Sequence, residues 1–260
     1  MYREQYPYLY ETHLHTNMVS ACAWNTPEEM VRAAKQRGYA GIFVTEHNWR
    51  GNSCVDRALP WDEWIDGLAA SYYAAKAEGD KIGLPVFFAY EAGFFGKPHH
   101  GAEFLIYGLD ADWLKAHPEL RDMDAPEHLA LARSAGGMIV HAHPFREASY
   151  IEQVFLLPQA VDAVEAVNAA HSNSHSGGHN RAVYDERAIA YAKEHGLPMT
   201  AGSDIHCADL FGGGVAFCTP LRDVADYCSR ILNDEDRLLT NGEKVYDKQG
   251  NLLPGSADWA

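Results

Sequence analysis

Residues 26–48 read TPEEMVRAAKQRGYAGIFVTEHN, and they hold the architecture in miniature. Thr26 predicts a helix N-cap, Pro27 suits the first helical position, and Glu29 completes a capping box. Met30, Val31 and Ala34 recur at helical spacing and give that helix one apolar face, which Gly38 brings to an end. The chain then runs Gly41-Ile42-Phe43-Val44-Thr45, short and apolar enough for a strand buried on both faces. Immediately after it stand Glu46, His47 and Asn48.

The same unit recurs on both sides. Further apolar runs are Tyr8–Tyr10, Pro85–Tyr90, Phe104–Tyr107, Met138–Val140, Val161–Val167 and Met199–Gly202. Between them lie helical stretches near 61–79, 126–135, 181–195 and 221–233; in the first, Trp61, Trp64, Ile65, Leu68 and Tyr72 fall on one face. A tail, Lys244 to Leu253, carries a hairpin turn at Asp247-Lys248-Gln249-Gly250. Continuously apolar strands separated by helices predict an α/β fold, a barrel of parallel strands with outer helices. With no repeat and no linker, residues 1–260 read as one domain, with 236–260 as a C-terminal extension.

Composition narrows the function. The net charge is −15, so a long polyanion such as nucleic acid is not an expected partner. No apolar run reaches transmembrane length and no basic-then-apolar leader opens the chain, which predicts a soluble, cytoplasmic protein away from membranes. Cys22, Cys54, Cys207, Cys218 and Cys228 are odd in number and never spaced as CxxC, against a disulfide framework or a zinc ribbon. Histidine, with 14 copies, is in excess.

Where the polar residues fall is the stronger signal. After the first run come His13 and His15, after the second Glu46 and His47, after the third Glu91, after the fifth His141 and His143, and after the seventh Asp204 and His206. The sixth carries Glu165 and Asn168 at its end. In a parallel barrel all carboxyl ends open on one face, so these residues converge. On a strand, positions i and i+2 point the same way, which lets both imidazoles of a His-x-His reach one ion. Imidazole with carboxylate suits zinc, manganese or iron, and Glu91 has two oxygens with which to bridge two ions. The constellation points to metal-assisted hydrolysis.

These residues resemble the PHP (polymerase and histidinol phosphatase) superfamily of metal-dependent phosphoesterases. The matching pieces are ETHLHT at 11–16, PEEMVRAAKQRGYAGIFVTEHN at 27–48, Glu91, GGMIVHAHPFR at 136–146, VEAVN at 164–168 and LPMTAGSDIH at 197–206, which span nearly the whole chain. The resemblance implies a distorted TIM-like (β/α)7 barrel with two or three divalent ions at the carboxyl ends of the strands. It implies that His13, His15, Glu91 and Asp204 hold one ion and that Glu91 and His143 hold a second. Glu103 is favoured over His100 and His99 to complete that second site. His47 and His206 would hold the third. The family's usual Asp in Thr-Asp-His-Asn is here Glu46, not a ligand position. Residues 16–27 lack the Asp or His that three-metal members offer, leaving Cys22 as a soft substitute; Asn17, Ser20 and Asn25 are the other polar residues there.

Other residues have expected parts. Arg146 would clamp a phosphate, with Arg50, Arg181 and Lys97 as weaker candidates. His141 would orient a ligand or donate a proton to the leaving group, and His206, besides binding metal, joins the catalytic set. Glu165 and Asn168 would orient ligand imidazoles. His171, His175 and His179 lie in a polar loop in which Gly177 and Gly178 break any helix, while His117, His128 and His195 read as solvated helix residues. The expected activity is hydrolysis of a small phosphate ester by a metal-activated hydroxide. An amidohydrolase is disfavoured because no lysine stands at a mid-barrel strand end, and an inactive metal-binding module because the main ligands are kept.

Overall fold

All seven apolar runs form strands, and they lie in one sheet. The computed structural model describes residues 2–96, 98–175, 179 and 181–259. In chain order the elements are α1 (Tyr2–Gln5), β1 (Tyr8–Leu14), α2 (Pro27–Gln36), β2 (Gly41–His47), α3 (Trp61–Ile82), β3 (Val86–Phe94), β4 (Ala102–Tyr107), α4 (Ala111–Ala116), α5 (Ala125–Ser134) and β5 (Met138–His141). They continue with β6 (Ala163–Asn168), α6 (Ala169–Ser172), α7 (Val183–His195), β7 (Met199–Gly202), β8 (Gly214–Phe217), α8 (Val224–Leu232), β9 (Leu238–Thr240) and β10 (Val245–Asp247). The expected capping box is formed at α2, where the Thr26 hydroxyl accepts from the Glu29 amide and the Glu29 carboxylate accepts from the Thr26 amide.

The sheet order is β10-β9-β8-β1-β2-β3-β4-β5-β6-β7. Neighbours within β1–β2–β3 and within β5–β6–β7 are parallel. The expectation of parallel strands throughout needs correcting at β4, which runs antiparallel to both β3 and β5. Residues 95–101 are too few for a parallel crossover, which takes about a dozen or more residues, so the chain turns straight back. Gly101, at φ +87, supplies a backbone conformation that other residues adopt at a cost. This reversal puts the first residues of β4, Glu103 among them, on the face where its parallel neighbours end.

The barrel closes where β1 meets the segment after β7: the His15 amide bonds to Ile205 O at 2.9 Å and the Ile205 amide to His13 O at 3.1 Å. Residues 8–10 of the same strand pair instead with β8, which leads into the antiparallel ribbon β8–β9–β10. The 247–250 turn is present: Asp247 Oδ1 accepts from the amides of Gln249 and Asn251.

An aromatic floor fills the barrel below the strand ends. Phe43 packs on Phe87 at 4.8 Å, on Tyr107 at 5.4 Å and on Tyr227 of α8 at 4.7 Å, with Tyr10 beside Phe87. Tyr107 donates to Thr12 O at 2.8 Å, tying this floor to the strand that carries His13 and His15. The outer layer is apolar as well, with Trp61, Trp64, Ile65 and Leu68 of α3 buried as their spacing predicts. Among the described residues, no helix is long and apolar enough to cross a membrane.

Candidate metal centre

Glu11 and His13 on β1 and His15, the residue just after it, follow strand periodicity, and all three are fully buried. His13 Nε2 lies 3.1 Å from His15 Nε2, 3.3 Å from Glu91 Oε1 and 3.4 Å from Asp204 Oδ1. His15 Nε2 is 3.3 Å from the same Asp204 oxygen and 3.5 Å from Glu91 Oε2. Two imidazoles and two carboxylates thus bring their ligand atoms together, those of His13, His15 and Asp204 within ligating range of one another. Beside it, His143 Nε2 is 3.2 Å from Glu91 Oε1 and 3.8 Å from Glu103 Oε2. Glu91 therefore stands between two candidate ion positions. His47, Glu91 and Glu103 also lie within ligating range of one another, and so do His15, His47 and His206.

The donor set fits divalent ions. Glu91 Oε2 and His47 Nδ1 are buried without a well-formed hydrogen bond, although they face each other at 2.7 Å. His143 and Asp204 hold positive φ angles, 29° and 50°, unusual for side-chain-bearing residues and concentrated at functional sites. Charge is arranged accordingly. Burial works to raise the Glu91 carboxyl, but His13 and His47 outweigh it and hold it well below the usual carboxylate range. Burial and the neighbouring Glu91 charge push Glu103 up to about 7.

The residues behind the ligands decide their tautomers. His13 Nδ1–H donates to Glu165 Oε1 at 2.9 Å, which leaves Nε2 as a lone-pair donor. Glu165 Oε2 accepts from the His143 amide at 3.1 Å and from Asn168 Nδ2 at 2.9 Å, so this carboxylate is held between His13, the His143 backbone and Asn168. Gly202 makes this possible: a Cβ there would come within 2.6 Å of both Glu165 Oε1 and His13 Cβ. His15 Nδ1 contacts Ser20 Oγ at 3.1 Å, and Ser20 donates to Glu46 Oε2 at 2.5 Å. Glu46, also bound by Thr16 and Ser71, supports His15 through Ser20 and belongs to none of the ligating groups.

Some expected residues sit elsewhere. His141 is stacked on Phe104 at 4.7 Å with Tyr191 at its edge, on the outer face of β5. The i, i+2 rule fails for the 141/143 pair because β5 ends at His141 and His143 turns into positive φ. His100 packs edge-on against Phe95 and belongs to none of the ligating groups, leaving Glu103 in that place. Arg50 donates to Met123 O, and Arg181 pairs with Glu147 on the surface. Lys97, Gly177 and Gly178 lie outside the described residues. His128 is not solvated: it is buried with Tyr90 Oη 3.0 Å from its Nε2.

Arg146 is buried rather than on a rim. Its Nη2 is 2.5 Å from Asp204 Oδ2, and its Nε–H donates to His171 Nε2 at 3.1 Å. His171 Nδ1–H in turn donates to Asp185 Oδ1 at 2.9 Å, so this part of the polar loop is anchored to α7. His175 is exposed, whereas His179 lines the cavity. Sequence reasoning missed Asp185, for which helical periodicity gave no sign, and Glu11, which the alternation of ETHLHT does mark. Glu11 accepts from the His13 and Ser203 amides.

The centre opens into a cavity of about 730 Å³, lined by ligand residues, Arg146 and His179 and by the apolar side chains Trp24, Phe95, Tyr150 and Leu210.

Residues 184–235 match the PHP-associated family. No curated protein matches the chain in sequence. Among solved structures, the fold is similar to a two-domain protein of Bacteroides vulgatus described as containing a predicted PHP-like metal-dependent phosphoesterase. The TM-score is 0.62 at 15% identity, over 89% of this chain and 64% of that one. It is also similar to PsfC of Pseudomonas syringae, with a TM-score of 0.58 at 18% identity over 95% of this chain and 91% of that one. A protein of Bifidobacterium adolescentis assigned as a metal-dependent phosphoesterase gives a TM-score of 0.51 at 16% identity, over 87% of this chain and 96% of that one. The chain thus spans just under two thirds of the two-domain protein, and at these identities the likeness is one of fold.

Proposed function

From a fold similar to that of a protein described as containing a predicted PHP-like metal-dependent phosphoesterase, and from a 184–235 segment that matches the PHP-associated family, we propose that the chain is a metal-dependent hydrolase of a small phosphate ester. The observation that carries this reading is the convergence of His13, His15, Glu91, Asp204 and His143, whose ligand atoms crowd a buried space beside Arg146. His13, His15, Glu91 and Asp204 would hold one ion, and Glu91, Glu103 and His143 a second. Bound divalent ions would neutralise phosphoryl oxygens and generate hydroxide at neutral pH.

The chain's own groups do the positioning. Arg146, which lines the cavity, offers its guanidinium to a phosphoryl oxygen; His171, fixed by Asp185, holds its Nε, and its Nη2 lies against Asp204 Oδ2 at 2.5 Å. His179 is pulled down to about 4 by burial and by Arg146, so at neutral pH it is uncharged and acts as a hydrogen-bond partner. The apolar walls suit an ester whose alcohol is itself largely apolar, and the net charge of −15 speaks against long polyanions. Positive charge for one small phosphate is supplied locally.

The test is hydrolysis of p-nitrophenyl phosphate and of its bis ester with Mn²⁺, Zn²⁺ and Fe²⁺. Turnover of one or both is expected, with their ratio separating phosphatase from diesterase. No turnover of either, with bound metal confirmed by elemental analysis, overturns the proposal.

A further inference from the structure

The cavity over the candidate metal centre is larger than a phosphoryl group needs, and its lining says what fills the rest. At about 730 Å³ it is of the size that encloses a whole small molecule. Its charged side chains are already engaged. Among the described lining residues, Glu91, Glu103 and Asp204 are the carboxylates, and each belongs to a ligating group. Arg146 is the one Lys or Arg among them, held by Asp204 and His171.

What remains is largely rings. Phe95 and Tyr150 lie 5.8 Å apart between centroids, with His179 at 6.5 Å from Tyr150 and His100 edge-on behind Phe95. Trp24 joins this lining from the loop after β1, and its main chain is pinned on both sides. Its amide donates to His206 O at 2.8 Å, and its carbonyl accepts from Asn17 Nδ2 at 3.0 Å. The Ala208 amide, donating to Asn25 Oδ1 at 2.9 Å, ties the same loop again to the segment after Asp204. Yet Trp24 is 80% exposed. A lone exposed hydrophobic residue is ordinary, but an indole on a fixed backbone at the edge of a ligand cavity is a stacking surface formed in advance.

We propose that these rings form the leaving-group subsite, that it takes an uncharged, planar aromatic alcohol, and that Trp24 is the residue that selects it. The substrate class is then a phosphate ester of an aromatic alcohol, which rests on the phosphoesterase reading above. The charges exclude the alternatives. A second phosphate on the alcohol meets no Lys or Arg beyond Arg146 among the described lining residues. An ammonium-bearing alcohol meets no carboxylate outside the ligating groups and is repelled by Arg146 and by bound divalent ions. An aliphatic alcohol would be buried but forgoes the ring-to-ring attraction.

The test is calorimetric titration of the metal-loaded, full-length protein with phosphonates, whose carbon–phosphorus bond survives a phosphoesterase. The four probes are methyl-, benzyl-, cyclohexylmethyl- and 2-(trimethylammonio)ethylphosphonate. Benzylphosphonate should bind about 30-fold tighter than methylphosphonate, and tighter than the other two. Trp24→Ala should lower the benzyl-to-methyl ratio about fivefold, Trp24→Phe should keep most of it, and Tyr73→Ala, which removes an exposed ring of α3, should leave it unchanged. Equal binding of the four, a preference for the cyclohexyl or trimethylammonio compound, a ratio untouched by Trp24→Ala, or binding of none overturns the proposal. Methylphosphonate reports the metal centre and the ratio reports the rings, so the two readings fail separately. A protein that binds all four alike keeps the phosphate reading and loses this one. One that prefers benzylphosphonate yet hydrolyses neither nitrophenyl ester loses the reaction and keeps the subsite.

Discussion

Replacing Glu165 with glutamine changes no volume and yet should weaken metal binding. The carboxylate accepts three hydrogen bonds, one on Oε1 from His13 and two on Oε2 from the His143 amide and Asn168. A glutamine has one oxygen and one NH₂, and the NH₂ must face one of these groups of donors. Turned toward His143 and Asn168 it forfeits two bonds, and turned toward His13 only one. At about 1 kcal/mol per bond the second orientation wins. That orientation presents a donor to His13 Nδ1, so the imidazole must move its proton to Nε2, the nitrogen aimed at Glu91 and Asp204. A protonated Nε2 cannot ligate. The expected loss is the 10- to 100-fold in affinity typical of such supporting partners, or about 1.4–2.7 kcal/mol. Competition for Zn²⁺ against a chromophoric chelator measures it directly. An affinity within about twofold of wild type, in a variant with an unchanged circular dichroism spectrum, would refute the tautomer argument.

Three further outcomes are expected. Arg146→Lys, which loses the planar fork over the cavity, should lower kcat/KM for p-nitrophenyl phosphate by about 10²-fold, and a change of less than about threefold would remove Arg146 from the reaction. His141→Phe should leave kcat/KM unchanged, since the ring stacks on Phe104 outside the barrel, and a loss of about 10²-fold would restore it as a proton donor. His128 is pulled down to about 3, chiefly by burial with a smaller push from Arg50. The unfolded chain, whose histidine titrates near 6.5, therefore takes a proton that the native state refuses. This contribution to stability is full above about pH 6.5 and falls as pH drops, by about 2 kcal/mol at about pH 5. Urea titrations in excess chelator should show the wild-type advantage over His128→Leu shrinking by that amount between about pH 7 and pH 5, and a pH-independent difference would refute it.

Periodicity and capping in one 23-residue stretch, TPEEMVRAAKQRGYAGIFVTEHN, were enough to read a helix, a buried strand and polar residues beyond it, and the repetition of that unit gave the barrel. The ligand residues at the strand ends were legible for the same reason: strand alternation is local, and His13 and His15 obey it. Its failure at His141 and His143 was not legible, because whether a strand continues for two more residues depends on what it pairs with. Nor was the direction of β4, which is set by the shortness of 95–101 against the length a crossover needs.

The pairing of Arg146 with Asp204, the anchoring of His171 to Asp185 and the approach of Cys22 to His47 join residues between 14 and 58 positions apart. No local pattern records such contacts. The sequence by itself determined which chemical groups stand at the strand ends, since that follows from period and order along the chain. Only the tertiary structure decided which of them share one point, because that depends on barrel closure at Ile205, on the space left by Gly202, and on which face each side chain takes where its strand stops.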